Sequence, residues 1–106
     1  YIYQKDQGGT DNWGLVKKIT ENNAESGARF GQNFSYDNNN LLVSASFDNN
    51  NYGNLFLYGK DYDPLTPNDI SANAWGEIKK IEASSNYNGY FGGTTDITIK
   101  GDYIYG

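Results

Sequence analysis

Hydrophobic and polar residues alternate along this chain in short runs that polar clusters separate. The run FGQNFSYD at residues 30–37 is followed by similar runs at residues 40–47, 53–60 and 75–82. Alternation with aromatic or β-branched residues is typical of half-buried β-strands. The clusters between them, among them DNNN at residues 37–40 and again at 48–51, are rich in residues that favour turns. The pattern therefore predicts four consecutive strands.

The same order of segments occurs a second time, in part. NWGLVKKIT at residues 12–20 matches AWGEIKKIE at residues 74–82, and RFGQNFSYDNNNLLVSA at residues 29–45 matches YFGGTTDITIKGDYIYG at residues 90–106. The opening YIYQKD also resembles LFLYGKD at residues 55–61. A module of roughly 60 residues thus occurs a little under twice, which is the mark of a repeat architecture.

A repeated module of four strands is typical of a β-propeller blade, whose twisted antiparallel sheet must stack on neighbouring blades to bury its faces. We predict an all-β fold with the strand order third–fourth, then first to fourth, then first–second. Residues 1–20 would be the last two strands of one blade, residues 29–82 a complete blade, and residues 90–106 the first two strands of the next. We expect a segment of a larger propeller; the alternative is that copies assemble by pairing their unpaired strands.

Composition excludes several classes of function. Among 106 residues there is no Cys and no His, which removes disulfides, thiol and imidazole catalysis and the usual zinc ligands. The formal charge of −5 comes without a Lys/Arg cluster, which argues against nucleic acid or an anionic membrane as partner. No apolar run is long enough to span a bilayer, so we expect no membrane insertion.

The segment GARFGQNFSYDNNNLLVSASFDNNNYGNLFLYGKD resembles the FG-GAP repeat of integrin-alpha-like β-propellers. Phe30-Gly31 and Phe91-Gly92 match the family's Phe-Gly pair, LLVSAS stands at the GAP element, and Trp13 and Trp75 match its Trp strand. The likeness is greatest to the short, calcium-free type found in microbial surface and secreted proteins. It implies a propeller with a binding or adhesive role and an extracellular or surface location. The six matching aromatic and glycine residues would hold the blades together.

The resemblance raises the question of calcium, because many blades of this family carry an Asp-rich calcium loop. Alternating oxygen ligands with a Gly at the bend suit Ca²⁺. Asp48 and Asn50, followed by Gly53, give the nearest match to such a loop, but their single carboxylate supplies little charge. In the loop that begins at Asp37, the third ligand position is occupied by Leu41, which cannot bind a cation. We therefore expect no cofactor, and Asp48 and Asn50 are the weak calcium candidates.

The long loop at residues 61–74 holds both prolines and is the predicted contact surface. Its Tyr62, Asp63 and Asp69, with Tyr87 and Tyr90 in the next loop, are the candidate binding residues for protein or carbohydrate. Asp61, Asp63 and Asp69 could also form the acid pair of a glycan-acting enzyme, although a solvated acidic loop is the more common explanation.

We therefore predict a non-enzymatic scaffold or adhesion module of an extracellular or surface protein, which contacts its ligand through a rim of loops. A self-assembling filament or shell component and a part of a glycan-acting propeller enzyme are the alternatives. Further blades, or other copies of the chain, would be the structural partners.

Overall fold

A computed structural model describes residues 1–21, 26–47, 52–66, 68, 72–82 and 97–105 of this chain. These residues form strands and connecting turns, with no helix among them, which confirms the all-β prediction. Eight strands lie within the described ranges: β1 Ile2–Gln4, β2 Gly14–Lys17, β3 Phe30–Asp37, β4 Asn40–Ala45, β5 Asn54–Gly59, β6 Gly76–Glu82, β7 Thr98–Lys100 and β8 Tyr103–Tyr105.

The strands form three antiparallel sheets. Strands β3, β4, β5 and β6 make a four-stranded meander in chain order, while β1 pairs with β2 and β7 pairs with β8. The meander is the four-stranded antiparallel sheet expected of one propeller blade. Assignment of the two smaller sheets to neighbouring blades of a larger propeller stays a prediction.

The registers of β1–β2 and β5–β6 show that these hairpins are copies of one another. Gln4 lies opposite Gly14 as Gly59 lies opposite Gly76, and Ile2 lies opposite Lys17 as Leu57 lies opposite Lys79. In both hairpins the register shifts by one residue at the same place, between Ile2 and Tyr3 and between Leu57 and Tyr58. Because a bulge adds one residue to one strand, the shared irregularity supports a true structural repeat.

Both faces of the four-stranded sheet are covered at its central strands β4 and β5. On one face Val43, Phe56 and Tyr58 pack with Ile2 and Val16 of the β1–β2 sheet. Because side chains alternate along a strand, their neighbours point the other way. On that opposite face the cluster consists of Leu42, Leu55, Ile97 and Ile99, with Ile104 packed against it. Burial of a large apolar side chain stabilises a fold by about 1.5–3 kcal/mol, so these two clusters hold the three sheets in a stack.

Two hydrogen bonds also join β3 to the β7–β8 hairpin. The Ile99 amide donates to Ser35 Oγ at 3.1 Å, and the Gly101 amide donates to Asp37 Oδ2 at 2.7 Å. These two backbone donors thus have side-chain acceptors on the neighbouring sheet.

The Phe-Gly pair begins β3 at an irregular point. Gly31 has a φ of +87°, which glycine adopts at little cost, and the register with β4 shifts between Phe30 and Phe34. The Phe30 ring meets Phe56 edge-on, with ring centroids 5.6 Å apart. Gly31 thus allows the chain to bend and place Phe30 against the core. Phe91 and Gly92 lie outside the described residues.

The two tryptophans differ in their surroundings. Trp75 is 6% exposed and belongs to the cluster that faces β1–β2, whereas Trp13 is 67% exposed. The packing role predicted for Trp13 is therefore not seen within the described residues, because none of them covers its ring. Any such contact of Trp13 requires a partner beyond these sheets.

Candidate functional site

The β3–β4 turn and the β5–β6 loop lie at the same end of the four-stranded sheet. Asp37 lies opposite Asn40, Asn40 opposite Gly59, and Gly59 opposite Gly76, so the β3–β4 turn and the β5–β6 loop are adjacent. The Lys60 amide donates to the Asn39 carbonyl at 2.8 Å across this junction. We call this end the rim; its described residues are 5–13, 38–39, 60–66, 68, 72–75 and 101–102.

A carboxylate closes both long loops of the rim in the same way. Asp61 Oδ1 accepts a hydrogen bond from the Asn73 amide at 3.0 Å, and Asp6 Oδ1 accepts one from the Asp11 amide at 2.7 Å. Asn73 and Asp11 both have left-handed φ values, of 57° and 62°. This clamp was missed in the sequence; its signal is the Lys-Asp pair that opens each loop and the Asn or Asp two residues before each Trp.

The predicted contact residues are held by the backbone of the loop itself. Tyr62 is half-buried, and its carbonyl accepts a hydrogen bond from the Gly76 amide at 2.7 Å. Asp63 Oδ1 accepts one from the Leu65 amide at 2.9 Å, which forms an Asx turn. Asp61 and Asp63 therefore have structural partners that account for their positions. Asp69, Tyr87, Tyr90 and the calcium candidates Asp48 and Asn50 lie outside the described residues.

Glycine follows each Trp because the loop passes directly over it. A Cβ at Gly76 would lie 2.5 Å from the Tyr62 carbonyl oxygen, and one at Gly14 would lie 2.5 Å from the Gly8 amide nitrogen. Real Cβ atoms do not come so close to backbone atoms. The repeated Trp-Gly of the sequence is thus a requirement of the rim loops as well as of the strands.

A groove of about 760 Å³ opens between the β1–β2 sheet and the four-stranded sheet. Three polar side chains line it, Gln4, Lys60 and Asn73. Its aromatic lining consists of Tyr1, Tyr3, Phe30, Phe34, Tyr36 and Trp75. A volume of this size and a mostly apolar wall of aromatic and aliphatic side chains with a few polar groups are typical of sites for small ligands. Sequence reasoning missed this groove, because its wall comes from two sheets whose relative position the sequence pattern does not give.

Tyr36 and Trp75 form the end of the groove at the rim. The Tyr36 hydroxyl donates to Asn39 Oδ1 at 3.1 Å, and the two ring centroids lie 6.3 Å apart. Trp75 has a φ of 51°, a left-handed conformation that is unusual for a bulky residue. Its indole Nε1–H is buried without an acceptor among the described residues. Buried polar groups normally have a partner, so this donor calls for one.

Other chemistry is sparse in the described part of the chain. No group of three or more acidic side chains there could hold a metal ion, and no helix there is long and apolar enough to cross a membrane. Burial, with smaller contributions from the Glu77 and Glu21 carboxylates, raises the pKa of Tyr58 above its ordinary value. The phenol of Tyr58 therefore stays protonated at neutral pH.

Comparison with known proteins gives one family. The model of the FG-GAP repeat matches residues 13–58, which extend from Trp13 into strand β5 and include Phe30-Gly31. No curated protein and no solved structure gives a significant match. The match covers the segment whose Phe-Gly bend, paired strands and stacked faces are described above. Residues 13–58 of the chain are therefore similar to an FG-GAP repeat, and the match supports that family for this segment.

Proposed function

We propose that this chain is part of a non-enzymatic β-propeller scaffold of an extracellular or surface protein, and that it binds protein or glycan through the rim. The observation that carries the proposal is the covering of both faces of the four-stranded sheet by neighbouring sheets. Stacking occupies the central part of both faces, and the loops of the rim stay available for contacts. Loops on a rigid scaffold are the usual place for binding residues.

The carboxylates of the rim favour binding over catalysis. Asp6, Asp61 and Asp63 each accept a hydrogen bond from a backbone amide of their own loop. An acid pair for glycoside hydrolysis needs two carboxyl groups that face the same bond. Loop closure explains these three residues without such a pair, which supports a scaffold rather than an enzyme.

The proposal can be tested by replacing the long rim loop with the sequence of the short one, which we call the loop exchange. Residues 61–74 would be replaced by the sequence of residues 6–12, which keeps the clamp and the following Trp-Gly but removes Tyr62, Asp63 and Asp69. Both proteins would be applied to an array of immobilised glycans and extracellular-matrix proteins. We expect the original chain to bind at least one probe and the exchanged chain to lose that binding, with an unchanged melting temperature. Equal binding by both, or binding by neither, would contradict the proposal.

Assembly of copies is a second candidate function, favoured by the edges of the small sheets. Among the described strands β1 pairs only with β2, and β8 pairs only with β7. In the repeat, the β7–β8 hairpin corresponds to β3–β4, and the β1–β2 hairpin corresponds to β5–β6. Strand β4 pairs with β5, so the equivalent strand β8 of one copy can pair with β1 of another copy. In that register Tyr103 would lie opposite Gln4, as Asn40 lies opposite Gly59. Unpaired strand edges are ready sites for such pairing.

A further inference from the structure

We propose that strands β2 and β6 are protected against pairing with another chain by a bulge and a pair of lysines that each of them carries. Both strands hold the fourth place in the repeat, and both are followed by further strands of the chain. Among the described strands, β2 pairs only with β1 and β6 pairs only with β5. Each therefore has an outer edge of the kind to which a further strand can add.

The first argument is the shape of the two outer strands. One residue in each of them, Val16 in β2 and Ile78 in β6, lies opposite no residue of the neighbouring strand, where the register shifts. An extra residue bends a strand and increases its twist. A regular partner strand cannot follow such an edge along its whole length, and bulges are one of the means by which natural sheets prevent edge pairing.

The second argument is the position of the lysines. The residue after each bulge begins a pair, Lys17-Lys18 in one hairpin and Lys79-Lys80 in the other, and all four side chains are exposed. Because successive side chains point to opposite faces of a sheet, each pair places one ammonium group on either side of the edge. An added strand would have to approach both charges. Four of the eight basic residues of the chain stand at these two edges.

The third argument is a contact that both hairpins share. The Lys18 ammonium lies 5.6 Å from the centre of the Tyr1 ring, and the Lys80 ammonium lies 5.5 Å from the centre of the Phe56 ring. The two rings are equivalent, because each precedes the register shift of its hairpin by the same distance. A cation over an aromatic face is attracted to it. The charge is thus kept beside the sheet in both copies, which indicates that its position is a property of the repeat.

The fourth argument is the order of residues along β6. Residues 77–82 read EIKKIE, which is the same in both directions. Two copies paired antiparallel over this length would place Lys79 opposite Lys80 and Glu77 opposite Glu82. Like charges directly opposite each other destabilise a strand pair. The same alignment of β6 with LVKKIT at residues 15–20 also places lysines opposite lysines. In both cases the isoleucines match apolar residues, so the charges oppose a pairing that the apolar residues favour.

The test removes the lysines of one edge and measures association of the purified chain. Lys79→Thr/Lys80→Thr gives β6 neutral side chains that suit a strand. In sedimentation velocity we expect the dissociation constant of the dimer to fall at least tenfold below that of the parent chain, which corresponds to about 1.4 kcal/mol. Lys17→Thr/Lys18→Thr makes the same change at the other edge and should have the same effect. Melting curves establish that each variant is folded.

Two control variants separate the edge from the total charge. Lys79→Arg/Lys80→Arg keeps both charges and should associate no more than the parent chain. Lys5→Thr/Lys100→Thr removes two positive charges at exposed residues outside β2 and β6, and it should also leave association unchanged. Any pairing through β1 and β8 is common to the parent chain and to the variants, so comparison with the parent chain removes its contribution.

Hydrogen exchange measured by mass spectrometry locates the contact. In the Lys79→Thr/Lys80→Thr dimer, the amides of residues 76–82 should exchange more slowly than in the parent chain. Unchanged association of both threonine edge variants would overturn the inference. An equal increase in the Lys5→Thr/Lys100→Thr variant, or a dimer whose β6 amides exchange as before, would also overturn it. The loop exchange leaves β2 and β6 unaltered, so binding by the rim and protection of the edges are tested independently.

Discussion

Gly76 and its counterpart Gly14 show how a single residue links a strand to the rim. At both positions the preceding loop passes so close that a methyl group has no space. The sequence revealed the repetition of Trp-Gly but not its cause. The cause is a contact with backbone atoms of Tyr62 and Gly8, several residues earlier in the chain, and a sequence pattern does not show such contacts. The carboxylate clamps at Asp6 and Asp61 were missed for the same reason.

The first prediction concerns this contact. Gly76→Ala should destabilise the chain by about 1–3 kcal/mol, because the new methyl group must push away the Tyr62 carbonyl. The measurement is the free energy of unfolding by urea titration. Gly8→Ala is the matched control in the other rim loop, where a Cβ would make ordinary contacts at 3.5 Å; it should change stability by about 0.5 kcal/mol or less. Equal effects of the two substitutions would refute the steric explanation.

At the scale of the element, alternation located every described strand, and β3 was predicted with its observed ends. The weakest point was the second copy. The alignment of residues 29–45 with residues 90–106, which has no gaps, matches Gly101 with Asn40. In the structure the β7–β8 turn Gly101-Asp102 takes the place of the β3–β4 turn Asn38-Asn39, so the alignment is wrong there by two residues. A bulge, such as that between Phe30 and Phe34, changes the number of residues in a strand without a change in residue type. Such shifts escape an alignment of patterns.

The second prediction concerns the junction between β3 and the β7–β8 hairpin. Asp37→Ala removes the acceptor of the Gly101 amide. A hydrogen bond to a charged group contributes about 1.5–3 kcal/mol to stability when it is shielded from water. This bond is exposed, so its contribution is smaller. We expect faster hydrogen exchange at the Gly101 amide and a lower melting temperature. Asp102→Ala, on the same turn, is the control and should change neither. Unaltered exchange at Gly101 in the Asp37 variant would show that this bond does not hold the hairpin.

At the scale of the whole molecule, the sequence predicted stacked sheets but not what the stack encloses. Alternation shows which residues of one strand share a face, so the cover on both faces of the central sheet followed from the pattern. Which exposed aromatic rings meet across two sheets depends on the distance and angle between the sheets. The groove therefore became visible only in the structure, and its Tyr36 and Phe34 had no functional prediction.

The third prediction tests pairing between copies. Because the chain has no Cys, a Gln4→Cys variant mixed with a Tyr103→Cys variant can form a disulfide only between the introduced residues. If β8 pairs with β1 of another copy, these positions face each other, and mild oxidation should give a mixed dimer in preference to either homodimer. A Thr10→Cys variant is the control partner, since its loop lies away from the predicted pairing. A mixture that gives all dimers at random would argue against assembly.

The carboxylate clamp of the rim has a consequence for the evolution of this repeat. It joins residues five apart in one loop and twelve apart in the other, so the same anchor tolerates very different lengths of chain. Each doubling of loop length costs only about 0.6 kcal/mol in closure entropy. Insertions at this point can therefore accumulate and be selected for new contacts while the sheets beneath remain intact. The same property makes the 61–73 span a suitable graft position for displaying foreign peptides.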